Sequence, residues 1–175
     1  MNDPKTNPMR KIRIEKIVLN IGCGKDGNIE NAKKILESLT GRKAVVTKTH
    51  KRTTFGVGRR RPIGVMVTVR KNAKELLMRL VEAVDKKLLV KNFDQFGNFS
   101  FGVEEYISVP GMNYDPKIGI LGFDVCVTLE RPGFSIKRKS LSKKVGKKHR
   151  ISREEAMDFV RSLGIDIVEK REKEY

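Results

Sequence analysis

The sequence predicts an α+β fold: a mostly antiparallel sheet with helices on one face, in a split β-α-β, ferredoxin-like arrangement with long basic loops. Three observations carry this. Strand-like alternation recurs at 12–22, 63–70 and 121–130, and apolar residues at helical spacing recur at 29–39, 76–88 and 156–163. Their order is strand, helix, strand, strand, helix, strand, strand, helix, strand, which a helix-backed antiparallel sheet satisfies. Such a sheet leaves its second face free for other work.

Taken in order, residues 1–10 form a Pro-containing arm expected to be flexible, and 11–169 form one domain. IRIEKIVLNIG (12–22) alternates, with Ile17, Leu19 and Ile21 on one face and Val18 and Asn20 on the other. DGN (26–28) turns the chain and offers Asn28 as a helix cap. Ile29, Ala32, Ile35, Leu36 and Leu39 mark a helical face that Gly41 stops.

AVVTKTH (44–50) is β-branched and alternating. IGVMVTVR (63–70) is the clearest strand, with Ile63, Val65, Val67 and Val69 opposed to Gly64, Met66, Thr68 and Arg70. Asn72 and Glu75 have the spacing of a capping box before an amphipathic helix of Leu76, Leu77, Leu80, Val81, Val84 and Leu88. NFSFGVEEYISV (98–109) reads as extended, GMNYDPKIG as turns, and LGFDVCVTLE (121–130) as a strand. Residues 131–150 lack a helical period and read as a long loop. Ser152 and Glu155 cap a last helix that Gly164 ends, IDIV (165–168) adds a short strand, and KREKEY (170–175) is a charged tail.

The net charge of +17 is concentrated. Residues 42–61 hold eight Lys or Arg and no acid, and residues 131–150 hold nine and no acid, so the other 135 residues balance at 21 basic and 21 acidic. Charge gathered in two places is the footprint of a polyanion partner. In the first block Lys48, Lys51, Arg52, Arg59, Arg60 and Arg61 surround Phe55, Gly56 and Gly58, and Thr53 and Thr54 add hydroxyls. The cations neutralise phosphates, while glycines let backbone approach a ligand closely. The second block carries Lys137, Arg138, Lys139, Lys143, Lys144, Lys147, Lys148 and Arg150. RNA fits better than DNA, because neither block is helical enough to enter a major groove.

Other chemistry finds little support. Cys23 and Cys126 are isolated and read as reduced, buried thiols of a cytosolic protein. With only His50 and His149 there is no metal set, and both histidines read as RNA-facing or solvated. Neither GxGxxG nor a P-loop occurs, so no cofactor is expected. NFSFGV resembles the aromatic RNP1 signature but follows the second helix, where that motif precedes it; Phe93, Phe96, Phe99 and Phe101 therefore read as core or turn packing. No membrane span or secretory signal is expected. Three classes remain on composition: a ribosomal RNA-binding component, a free-standing RNA chaperone, and an RNA-modifying enzyme.

RIEKIVLNIGCG, LTGRKAVVTKTHKRTTFGVGRRRPIGVMVTVR, FDQFGNFSFGVEEYISVPGMNYDPKIGILGFDVCVTLERPGF and HRISREEAMDF together resemble the large-subunit ribosomal protein L-five family over about residues 8 to 165. The block VTLERPGFSIKRK…KKHRIS resembles its archaeal and eukaryotic branch. The resemblance implies an α+β sandwich with an antiparallel sheet, a non-enzymatic role in a cytoplasmic ribosome, and 5S rRNA binding in the central protuberance beside ribosomal protein L-eighteen. It also implies contacts with large-subunit rRNA, peptidyl-site tRNA and small-subunit protein S-thirteen.

Carried onto this chain, Asn20, Arg42, Lys43, Thr47, Lys48, Thr68 and Arg70 belong to the 5S rRNA surface. The loop from Lys51 to Arg61 reaches tRNA, and about 104–122 forms the bridge to the small subunit. The family commonly reads TGQKP where this chain has Thr40-Gly41-Arg42-Lys43-Ala44. Arg42 only donates, so a base contact that needs an acceptor becomes a phosphate contact. VTVRKN replaces the usual VTLRG, and Lys71 adds charge where Gly eases a turn.

Overall fold

The computed structural model describes residues 7–24, 27–52, 56–141 and 144–169. In chain order the elements are β1 (Arg13–Gly22), α1 (Ile29–Thr40), β2 (Val45–Lys48), β3 (Pro62–Val69), α2 (Ala73–Glu82), β4 (Lys87–Leu89), β5 (Phe99–Val103), β6 (Phe123–Glu130), α3 (Arg153–Ser162) and β7 (Asp166–Val168). β2, β3, β1, β6 and β5 lie side by side in one antiparallel sheet, and β4 and β7 form a separate parallel pair. The α+β class expected from the sequence is the class found.

Alternation decides the two faces. Ile17, Leu19, Ile21, Val65, Val67, Val69, Phe99, Phe101, Val125, Val127 and Leu129 are all buried, in one core with Ala32, Ile35, Leu36 and Leu39 of α1 and Leu76, Leu77, Leu80 and Val81 of α2. Ala156 and Val160 of α3 join that core. Truncating a side chain such as Leu77 or Leu80 to Ala costs about 2–5 kcal/mol in a core of this kind. Asn28 caps α1 through the amides of Glu30 and Asn31, Gly41 closes it at φ +63°, and Ser152 with Glu155 makes a full capping box on α3.

Several expectations are corrected. Asn72 adopts a left-handed φ of +57° and makes no side-chain cap bond, so α2 has no capping box. α2 stops at Glu82, because Asp85 and Lys86 take φ values of +54° and +56°, which no right-handed helix accommodates. Val84 therefore lies past the helix, and Leu88 is buried in β4, a strand the sequence did not announce. The extended run from 98 ends at Val103 and passes into a 3-10 turn over Tyr106–Ser108. Phe96 is 62% exposed rather than packed inside. Cys126 is exposed and Cys23 only half-buried, because Cys126 sits at an outward position of β6. Of the expected N-terminal arm, Pro8–Arg10 forms a 3-10 turn. The tail 170–175 lies outside the described residues.

Candidate nucleic-acid interface

The uncovered face of the sheet is built by register. Val18 stands opposite Thr68 on one side and Cys126 on the other, and Asn20 stands between Met66 and Asp124. Thr47 faces Gly64, and Ser100 and Gly102 complete the rows on β5. Gly64 has a packing reason: a Cβ there would lie 2.6 Å from the Ile21 carbonyl oxygen and 3.1 Å from Thr47 Oγ1. Asn20, Thr47 and Thr68 are half-buried, while Lys48 and Arg70 are exposed at the margin. The structure thus gathers these five expected residues around one open face, on which Val45 and Met66 are also exposed. Lys43 is exposed and Arg42 half-buried in the α1–β2 connection, where the Arg42 amide donates to Thr40 Oγ1 at 3.3 Å.

The two basic blocks stand at opposite ends of β1. Residues 48–62 leave the sheet where Thr47 and Gly64 pair beside Gly22, and residues 131–150 leave it where Glu130 pairs with Arg13. Ten residues of strand at about 3.3 Å each separate them by about 30 Å.

The first block is closed at its neck by Thr49, which is buried. Its Oγ1 donates to the Gly58 carbonyl at 2.7 Å and accepts from the Arg61 amide at 3.1 Å. Its own amide donates to Arg61 O, and its carbonyl accepts from the Arg60 amide, both at 2.9 Å. Arg60 (φ +61°) and Gly56 (φ +76°) supply left-handed turns. Lys51, Arg52, Arg59, Arg60 and Arg61 are exposed, and none pairs with a carboxylate among the described residues. Thr53, Thr54 and Phe55 lie outside the described residues.

The second block is held by buried charge. Arg131, only 3% exposed, pairs through Nη2 with Glu155 Oε1 at 2.8 Å, while Nη1 donates to the carbonyls of His149 (3.4 Å) and Arg150 (3.2 Å). Burial alone would raise the Glu155 carboxyl pKa, but the Ser152 amide and the Arg131 and Arg10 guanidinium groups together lower it. Arg138 reaches back to Glu15 (2.7 Å) and to buried Glu130 (3.0 Å), and Arg13 binds the other Glu130 oxygen at 2.6 Å. Two 3-10 turns, Phe134–Lys137 and Lys147–His149, interrupt the expected loop. His149 is half-buried and held rather than fully solvated: Nε2 donates to the Pro132 carbonyl at 2.9 Å, and its ring meets Phe134 edge-on. Lys137, Lys139, Lys144, Lys147, Lys148 and Arg150 remain exposed, and Lys143 lies outside the described residues.

Among the described residues no group of three metal-ligating side chains forms, and no helix is long and apolar enough to cross a membrane. Burial pushes the Cys23 thiol up, and burial with the Asp124 carboxylate does the same to Cys126, so both favour the weakly nucleophilic neutral form. Phe99 and Phe101 face the core and offer no ring to a base.

A family model described as ribosomal protein L5 matches residues 7–57, and a second model, of the C-terminus of the same ribosomal family, matches residues 62–159. The chain belongs to the ribosomal protein L5 family. Large ribosomal subunit protein uL5 of Cenarchaeum symbiosum is 49% identical over 165 residues, covering 91% of this chain and 98% of that protein. The proteins of the same name from Sulfurisphaera tokodaii and Nanoarchaeum equitans are 46% and 44% identical, covering 93% of this chain each and 96% and 99% of their own lengths.

Sequence reasoning missed three residues that shape this L5-family surface. Thr49 continues the alternation of Val45 and Thr47 and should point outward. A register slip between Thr47 and Lys48 turns it inward instead. Glu130 and Arg131 read as ordinary charges, and the one available signal is that they follow directly on the buried position Leu129.

Proposed function

We propose that this chain binds 5S rRNA on the open face of its sheet, within the central protuberance of the large ribosomal subunit. As a member of the L5 family it is a ribosomal protein of the large subunit, not an enzyme, and its partners include ribosomal RNA. The observation that carries the finer reading is the uncovered sheet face, bearing Asn20, Thr47 and Thr68, with a block of exposed cations at each end of its central strand. Asn20, Thr47 and Thr68 present donors and acceptors that read base edges or ribose, whereas Lys43, Lys48, Arg70 and Arg42 hold phosphates and set register. Asp124, opposite Asn20, repels phosphate, so the RNA backbone runs along the β2–β3–β1 half of the face.

Residues 48–62 contact peptidyl-site tRNA, and the second block packs on large-subunit rRNA. Residues 104–122 leave β5 at the same end of the sheet as 48–62, where Val103 pairs with Phe123, and expose Tyr114 and Ile120. Exposed aromatic and aliphatic side chains suit a protein contact, here small-subunit protein S-thirteen. Ribosomal protein L-eighteen lies alongside on 5S rRNA, and the assembly is a cytoplasmic ribosome.

Asn20→Ala and Thr68→Val test the reading. Each should weaken 5S rRNA binding by about tenfold, reduce discrimination against a length-matched unrelated RNA, and leave the salt dependence unchanged. Equal loss on both RNAs would assign these residues to the fold and overturn the reading.

A further inference from the structure

The turn before β5 does something unusual with an aromatic ring. Asp94 Oδ1 accepts the amides of Phe96 and Asn98 at 2.8 Å each, and Asn98 Nδ2 donates to Asp94 Oδ2 at 2.9 Å. Gly97 (φ +79°) is pressed against the entry to α3 and its first turn, since a Cβ there would lie 2.5 Å from Ile151 Cγ2 and 3.3 Å from Ala156 Cβ. The turn is therefore fixed from both sides, and it displays Phe96 at 62% exposure. The hydrogen-bonded turn and the packed glycine together hold this large apolar side chain outward.

Phe96 lines a cleft of about 680 Å³ between the sheet and the second basic block. Phe134 and Ile151 lie in its apolar wall, and Lys137, Lys144 and Arg150 stand on its rim. Its two acids, Glu15 and Glu130, are neutralised by Arg138 and Arg13. The volume falls within the range of about 300–1,000 Å³ typical of sites for small organic groups. An apolar aromatic floor under a cationic rim is complementary to an unstacked nucleotide: the base stacks on the ring and the phosphates meet the cations.

We propose that this cleft receives one unstacked nucleotide of ribosomal RNA, stacked on Phe96 with its phosphates on Lys137, Lys144 and Arg150. The inference rests on the reading of the second block as an rRNA contact, and adds to it a base-stacking site separate from the sheet face.

The chain has no tryptophan, so Phe96→Trp in the full chain gives one fluorescent reporter at the site. Large-subunit rRNA and 5S rRNA transcripts serve as separate probes, with binding verified on the same samples by electrophoretic retardation. Emission should fall, and iodide should lose access, when one of these RNAs binds. Phe96→Ala should weaken that RNA about tenfold without changing the salt slope, and Phe96→Tyr should retain affinity. Unchanged emission on saturated RNA would overturn the proposal. So would equal quenching by RNA-free large-subunit proteins, which would give the cleft to a protein. Intact 5S preference without quenching defeats the cleft alone. Quenching by large-subunit rRNA without 5S preference defeats the sheet reading alone.

Discussion

The two cationic loops, with six Lys or Arg in residues 48–62 and nine in 131–150, are held in opposite ways. Among the described residues, 48–62 are held at the neck, by hydrogen bonds to the Thr49 hydroxyl and backbone, and the described cations beyond it pair with no carboxylate. Residues 131–150 are anchored by charged side chains at two points: Arg131 on Glu155, and Arg138 on Glu15 and Glu130. A loop held by its backbone keeps all its cations for a partner, whereas a loop held by its cations trades part of its charge for position. The first geometry suits an arm that reaches, and the second a surface that packs.

The largest expected effect falls on the second block. Arg131→Met removes a buried charge that satisfies two carbonyls and a carboxylate, and should cost about 3 kcal/mol of unfolding free energy by denaturant titration. A loss below about 1 kcal/mol would mean that the block does not depend on buried charge. Next, combined Arg59→Ala, Arg60→Ala and Arg61→Ala should leave stability unchanged but lower the salt slope of RNA binding by about two units. An unchanged slope on both 5S rRNA and tRNA would show that the free cations of the first block meet neither.

Thr49→Val should cost about 1–2 kcal/mol and speed hydrogen exchange at the Arg61 amide while sparing the second block. The smallest effect is on pH. The folded-state pKa of Glu155 is lowered, so its stabilisation is present above the ordinary carboxylate pKa and is lost as pH falls through the lowered folded value. Acid should therefore loosen residues 149–155 selectively, and Glu155→Gln should abolish that pH dependence in amide exchange.

How much of this was legible in the sequence follows from how local each signal is. The sheet faces were readable because alternation is a property of one strand, and Asn20 and Thr68 could be assigned to the open face from it. β4 was not readable: three residues carry no period, and its partner β7 lies nearly eighty residues away. The end of α2 was missed because Val84 and Leu88 keep helical spacing while the backbone at Asp85 and Lys86 has already turned. Charge in the two blocks was plain, but which cations are pinned depends on Glu15, Glu130 and Glu155, which only the fold brings near. Phe96 was hidden among four phenylalanines, of which it alone faces solvent.

The most direct test of the central claim is competition between 5S rRNA and a length-matched unrelated RNA for the unmodified chain, titrated from low to physiological salt. A 5S preference that persists at physiological salt is expected, because hydrogen bonding and shape on the sheet face are not counterion release. Equal affinities that fall together as salt rises would contradict the account, since the two blocks would then be binding RNA by charge alone.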